Sequence, residues 1–556
     1  MKFLSFVFRH SRATVIAAIV AGLVSGLSQT GLLALITSAL SGALKSSSSR
    51  LLWGFVGLGL VMLSSRIVSG ILLTRLLHNA VYQLRMHFSR QIMSAALRHL
   101  EQIGSPKLLA VLTDDIPALT GALAAIPTVC MHVAVVAGCL IYLGWLSWTV
   151  LLYLIPFFVA GVLTYRLIVS YAMRSLTVAR QEHDSLLRHF RALTEGIKEL
   201  KLHRRRGESF LFRSLQPTAA SLRRHNSQGS IIFTAAQGWG QLASYILIGL
   251  VIFGLPSFLN INARLLTGYA LVILYMLTPL EIILSALPTF GRANIALRKI
   301  EELGISLLAN TTESDSVAVA TPAKLSLDTL EFSGVTHVYH REREDNDFVL
   351  GPLDFTLHAG ELVFLVGGNG SGKTTLGKLL TGLYVPESGE LRLDRQLITD
   401  LNRNDYRQYF SAVFSDFYLF ESLLGLEAPD LDTEAREYLA KLQLDQKVTV
   451  KEGKLSTLNL SQGQRKRLAL LAAYLEDRPI YVFDEWAADQ DPQFKDVFYL
   501  HLLPELKSRG KTVVVISHDD RFYHLADRII RLDYGKLTSD SNVFSAPPAP
   551  LVEAVG

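Results

Sequence analysis

Cysteine is nearly absent: the 556 residues hold two, Cys130 and Cys139, both inside an apolar run. A disulfide framework and a Cys-based metal site therefore have no support, and both residues read as small packing groups. Charge is scarce too. Asp, Glu, Lys and Arg make up 19% of the chain against 50% hydrophobic residues, and mean hydropathy is +0.30, whereas a soluble domain carries about a quarter charged residues. Disorder and collagen-like structure are excluded, and a membrane portion is expected. The net charge of +5 suits nucleic acid or basic cytoplasmic loops equally, so the placement of the charges decides.

From Ala13 to Leu44 there is no charged side chain, and comparable charge-free or nearly charge-free runs cover Leu51–Thr74, Ile116–Tyr165, His225–Ala263 and Leu265–Gly291; beyond Arg292 they stop. A spanning helix needs about 20 apolar residues. The runs predict an α-helical transmembrane domain, 1–303, with six spans near 13–35, 51–73, 124–144, 148–168, 232–254 and 268–290. Span 1 exceeds a signal-peptide core and is not expected to be cleaved. The long connections between spans 2 and 3 and between 4 and 5 are basic, with Lys198, Lys201, Arg204, Arg205 and Arg206 in the second. The positive-inside rule puts them, the N-terminus and everything after Arg292 in the cytoplasm. Topology thus accounts for the basic residues, and no nucleic-acid partner is expected.

A polar stretch at 304–325 reads as a linker. Alternating strand and helix patterns then predict an α/β domain over 326–540, and the Pro-rich tail 541–556 reads as disordered.

The chemistry lies in this second domain. The apolar strand Leu362–Val366 runs directly into Gly367, Gly368, Asn369, Gly370, Ser371, Gly372, Lys373 and Thr374, followed by a helical pattern from Thr375. Glycines let successive N–H groups turn toward phosphate, and the helix N-terminus adds its positive end. Lys373 reaches the β and γ phosphates, and the Thr374 hydroxyl can ligate Mg²⁺. A second strand, Ile480–Phe483, ends in Asp484 and Glu485. Asp484 suits the Mg²⁺ shell, and Glu485 suits the base that deprotonates an attacking water. Between them Leu460, Ser461, Gln462, Gly463 and Gln464 open a helical run and form a second anion cradle.

Phosphate loop, Ser461 segment and Asp484–Glu485, in that order, resemble the nucleotide-binding domain of ATP-binding cassette (ABC) proteins, an α/β P-loop fold that takes ATP and Mg²⁺. The resemblance implies that Tyr339 stacks on adenine, that Asp491 communicates across a dimer, and that His518 contacts the γ phosphate. It also implies that the Ser461 cradle closes on the ATP of a second chain. With one cassette and six spans per chain, this means a homodimer. Spans before cassette resemble the ABC exporter fold, in which Gly104–Asp115 and Glu195–Lys201 correspond to intracellular extensions ending in coupling helices. Trp486–Gln490 and Ser415–Asp416 resemble the exporters of cyclic peptides and peptide siderophore precursors, the pyoverdine, syringomycin and microcin type. That likeness implies ATP-driven efflux of such cargo across the bacterial inner membrane. An exporter of lipids or hydrophobic drugs, and an ATP-gated channel or sensor, are the competing readings; Glu485 weighs against the channel.

Two features depart from the pattern. Ser415 occupies the place of a metal-sensing glutamine, so that either Asp416 substitutes or a water intervenes. Gln462 stands where glycine is commoner. In the spans, Arg66, His132 and Glu281 fall at nearly the same membrane depth, about 20 Å in. Either they line an inner cavity that contacts polar cargo, beside membrane lipid, or Arg66 and Glu281 form a bridge that fixes helix packing.

Overall fold

The computed structural model describes residues 2–40, 48–254, 256, 263–302, 325–339, 348–426 and 428–543. Nearly all of the expected linker (304–325) and all but 541–543 of the expected tail lie outside these. The chain forms two units, one of Met1–Ser94 and Ile103–Thr311, the other of Ala95–Gln102 and Thr312–Gly556.

The first unit is helical. Its main helices are α1 (Lys2–Leu40) and α2 (Ser48–Ser94), then α4 (Ile116–Leu146), α5 (Trp148–Glu195), α6 (Gln216–Gly249) and α7 (Ala263–Glu302); the short α3 (Leu97–Ile103), which follows α2 in the chain, belongs to the second unit up to Gln102. Among the described residues, six segments are long and apolar enough to cross a membrane: Ala13–Ala39, Leu52–Ser94, Lys107–Leu146, Trp148–Glu195, Arg204–Gly254 and Leu265–Glu301. Helix is the expected outcome, because hydrocarbon offers no partner for backbone N–H and C=O groups and the helix satisfies them internally. The helices outrun the spans. At 1.5 Å per residue the 48 residues of α5 extend about 70 Å, more than twice the ~30 Å hydrocarbon layer. The long basic connections are therefore helical continuations of the spans.

Small residues bring these helices together. A Cβ on Gly138 would meet Thr30 Oγ1 at 2.7 Å, so α1 crosses α4 at a point where only glycine fits. Between α4 and α5 the chain breaks at Ser147, whose hydroxyl accepts from Val150 N. Tyr269 on α7 donates to Leu143 O (2.7 Å) or Ser147 O (2.6 Å) there, satisfying carbonyls at the helix end.

The second unit is α/β. Its strands are β1 (Thr329–Tyr339), β2 (Phe348–His358), β3 (Leu362–Gly367), β4 (Ser388–Leu393), β5 (Gln396–Leu397), β6 (Phe410–Val413), β7 (Val450–Lys451), β8 (Lys454–Leu455), β9 (Ile480–Asp484), β10 (Thr512–Ile516), β11 (Arg528–Asp533) and β12 (Lys536–Asn542). They form a sheet ordered β12-β11-β3-β10-β9-β6, an antiparallel sheet β2-β1-β4-β5, and a hairpin β7-β8. In the large sheet β3, β6, β9, β10 and β11 run parallel. The period of two sorts their side chains. Phe364, Phe483 and Val515 enter one core, and Val363, Val482 and Val514 enter the other. A parallel sheet covered on both faces accounts for the unbroken apolar runs of β9 and β10, and it brings β3, β9 and β10 side by side, so that their C-terminal ends adjoin.

Candidate nucleotide site

β3 delivers the chain to the phosphate loop, and α8 (Lys373–Leu380) receives it. Gly367 is required where the loop begins, since a Cβ there would lie 2.1 Å from Leu532 O on the neighbouring β11. The loop is a cradle with free donors. Ser371 is 3% exposed and its Oγ has no partner among the described residues, an orphan that a phosphate oxygen would satisfy. Lys373 is 5% exposed and folds back to donate to Gly367 O (3.0 Å) and Gly368 O (2.9 Å). Burial pulls its pKa down, and the nearby carboxylates of Glu485 and Asp484 oppose that shift. The ammonium is held at the loop by weak neutral acceptors, and an anionic ligand would outbid them. Tyr339 is half exposed and pairs across the sheet with Phe348. The Phe348 ring stands against Gly372, so an exposed aromatic lies beside the cradle.

Asp484, fully buried, ends β9. It accepts from Thr374 Oγ1 on one oxygen and from Ser415 Oγ on the other, each at 3.3 Å. Burial raises its pKa above the usual carboxylate range, and the bonds from Thr374 and Ser415 oppose this. A desolvated carboxylate between two hydroxyls is a hard-oxygen site suited to Mg²⁺ once phosphate oxygens complete it. Ser415, despite its short side chain, reaches Asp484 directly, while Asp416 is exposed.

Glu485 has a left-handed backbone, φ 48°, a conformation that costs a non-glycine residue energy. Its Oε1 lies 3.1 Å from Nε2 of His518, which follows β10. Lys373, Thr374, Asp484, Glu485 and His518 are thus brought together from three adjacent strand ends, and Ser415 joins them through Asp484.

The Ser461 segment sits elsewhere. Ser461 caps α9 (Gln462–Glu476): its hydroxyl accepts from Gln464 N (3.4 Å), and Gln464 Oε1 accepts from Ser461 N (3.2 Å). No bond joins Ser461 to Lys373 among the described residues. Instead the start of α9 is locked to the segment after Glu485. Gln462 donates to Asp489, Lys466 pairs with Asp489 at 2.8 Å and donates to Glu485 O at 3.1 Å, and Gln490 donates to Gly463 O. Arg467 binds Gln490 and Asp491 and lies 3.6 Å over the Phe494 ring. Asp491 also caps α10 (Pro492–Asp496) by accepting from Phe494 N; these partners hold its carboxyl below the usual range. Trp486 closes the lock, stacked on Phe498 at 4.4 Å and donating to Lys466 O at 2.8 Å. Lys466, Arg467 and Gln490 were missed by sequence reasoning. The available signal was the basic run 465–467 after the Ser461 segment, set against the unusual stretch 486–490.

Residues Ala95–Gln102 belong to this unit, and they precede the Gly104–Asp115 stretch expected to carry the contact. Within α3, Arg98 binds Glu387 at 2.5 Å and Val338 O at 2.9 Å. Glu101 pairs with Lys378 of α8 at 2.7 Å and accepts from Tyr384. The sequence masked this contact because Arg98 and Glu101 are ordinary charged residues on a seven-residue helix.

The three membrane residues are not gathered in one place. Glu281 lines a cavity among α5, α6 and α7 whose walls include neither Arg66 nor His132. Arg66 is exposed on α2 and His132 half-buried on α4. No ion pair joins Arg66 to Glu281 among the described residues. Equal depth, which residue counting supplies, says nothing about which way each helix is turned.

Residues 350–488 match the family model described as ABC transporter. The chain is 39% identical over 528 residues to the ATP-binding protein SyrD of Pseudomonas syringae pv. syringae, covering 93% of each chain. It is 25% identical over 509 residues to the ATP-dependent lipid A-core flippase of Burkholderia thailandensis, covering 88% of this chain and 82% of that one. Among solved structures, a bacterial Atm1-family ABC exporter with ATP bound matches with a TM-score of 0.73 at 17% identity over 97% of this chain and 96% of the other.

Proposed function

The chain belongs to the ABC transporter family, as an exporter half-transporter that binds ATP and couples its hydrolysis to transport, and from that premise we propose that it works as a homodimer in the bacterial inner membrane and exports a peptide-type cargo. The cassettes face the cytoplasm, as the basic helical continuations indicate. The observation that carries the reading is the meeting of Lys373, Asp484, Glu485 and His518 at adjoining strand ends in a chain that also holds six membrane-spanning helices.

Lys373 and the loop N–H groups hold the β and γ phosphates, with Ser371 Oγ supplying a further donor. Thr374 and Asp484, steadied by Ser415, would hold Mg²⁺, and the ion would supply neutralising charge for the phosphates. Glu485 takes a proton from the attacking water, and His518, hydrogen-bonded to Glu485, fixes that carboxylate and reaches toward the γ phosphate. Ser461 and Gly463, which make no bond to their own Lys373 among the described residues, serve the nucleotide of the partner chain. ATP favours the closed pair and hydrolysis releases it. The Trp486–Lys466 lock links the two halves of this device in each chain, since the backbone carbonyl of Glu485 and the first turn of the Ser461 helix share Lys466. The Glu101–Lys378 pair ties α8, which begins at Lys373, to residues covalently continuous with α2.

Peptide cargo is supported by the likeness of Trp486–Gln490 and Ser415–Asp416 to peptide and siderophore-precursor exporters. Lipid export is the second reading, favoured by the similarity to lipid A-core flippases. Comparing metabolites released by cells carrying wild-type chain or Lys373→Ala separates them. Loss of a secreted peptide supports the proposal; loss of surface lipid with unchanged peptides supports the alternative.

A further inference from the structure

The cavity that Glu281 lines measures about 350 Å³ and is contained within one chain, a size that suits a small ligand or one part of a larger one. Polar side chains from three helices line it, among them Tyr165 on α5, Gln237, Gln241 and Ser244 on α6, and Thr278 and Glu281 on α7. Glu281 is its sole charged residue, and no Lys, Arg or His lines it. The carboxylate is exposed and has no ion-pair or hydrogen-bond partner among the described residues. It lies inside the apolar run Leu265–Gly291, where a carboxylate without a counter-charge is costly and is kept for a function. A second cavity, of about 380 Å³, adjoins the first and shares Phe158, Leu247, Ile273 and Met276 with it; its lining side chains are all apolar.

We propose that these joined cavities bind a cationic amphiphile: an ammonium or guanidinium group at Glu281, oriented by Gln237 and Gln241, with an alkyl or aromatic portion in the apolar cavity. The inference rests on the exporter reading and adds the cargo's charge and shape. A counter-charge absent from the walls is supplied by the ligand, and the low dielectric that makes the lone carboxylate costly also makes that pairing strong. A neutral lipid gains nothing from Glu281, and an anionic one is repelled by it.

The test uses the full-length protein in lipid nanodiscs and three synthetic probes, dodecanoyl dipeptide amides bearing two lysines, two glutamines or two glutamates. Binding of the dilysine probe is expected to be at least tenfold tighter than that of the diglutamine probe, with the diglutamate probe weakest. In Glu281→Gln that gap closes, and Glu281→Asp keeps most of it. Equal binding of the three probes, or an undiminished gap in Glu281→Gln, overturns the proposal. The wild-type ranking needs no variant, so it decides the matter even where a substitution prevents folding. ATP-driven uptake into inverted vesicles is scored separately. Uptake of all three probes at one rate keeps export and overturns the charge-selective pocket; Glu281-dependent binding without ATP-driven uptake keeps the pocket and overturns export.

Discussion

The two units place their chemistry in opposite ways. In the nucleotide unit the reacting groups follow strands, and each stands within a residue or two of a strand or helix end: Lys373 and Thr374 beyond β3, Asp484 and Glu485 at β9, His518 beyond β10. In the membrane unit the polar groups that share a cavity sit on three long helices, between Tyr165 and Glu281, with no motif to connect them. A site built from strand ends is written in contiguous residues and tolerates little change. A site built on helix faces is dispersed, and its specificity can shift one side chain at a time.

The largest effect expected from this contrast is on Glu485. Glu485→Gln should lower steady ATP hydrolysis by about 10²–10⁴-fold, the usual worth of a positioned base, while nucleotide binding measured by a fluorescent ATP analogue persists. Near-normal turnover in that variant would break the claim that the strand-end residues carry the reaction. Next comes the lock between Glu485 and the Ser461 helix. Trp486→Ala removes a buried ring stacked on Phe498 and should destabilise the second unit by about 3–5 kcal/mol, read from the midpoint of denaturant unfolding. Trp486→Phe keeps most of the packing, loses the bond to Lys466 O, and should cost about 1 kcal/mol.

These residues also show where the sequence was readable. The phosphate loop and Asp484–Glu485 were legible because their chemistry demands fixed residue types at fixed spacing beside an apolar strand. The α/β class followed from short strand patterns alternating with helical ones. Trp486 was visible only as part of the Trp486–Gln490 resemblance, since its packing role depends on Lys466, twenty positions away. At the glutamine position the sequence offers Asp416 or a water as the substitute, and only the fold shows that the end of β6 brings the Ser415 hydroxyl to 3.3 Å from Asp484. Six spans could be counted from hydropathy, but the rotation of each helix could not, which is why Glu281 parted from Arg66 and His132.

Smaller effects sharpen the comparison at its joints. Glu101→Gln removes the charge that pairs with Lys378 and accepts from Tyr384. It should leave basal hydrolysis within about twofold while cutting cargo-stimulated hydrolysis severalfold, consistent with a partly exposed pair worth about 1 kcal/mol. Equal loss of both rates would mean that α3 merely supports the fold of the second unit. Ser415→Ala should raise the Mg²⁺ concentration for half-maximal hydrolysis by about two- to tenfold, the span of one hydrogen bond, and Asp416→Ala should not. The reverse ranking would hand the metal-sensing place to Asp416.

The most direct test mixes two damaged chains, one carrying Lys373→Ala and the other Ser461→Ala, and measures vanadate-trapped nucleotide in purified mixed dimers. If each nucleotide lies between the loop of one chain and the cradle of its partner, one site in the mixed dimer combines both lesions and the other is intact, so trapping returns at one nucleotide per dimer. If Ser461 served the Lys373 of its own chain, both sites would be damaged and no trapping would return.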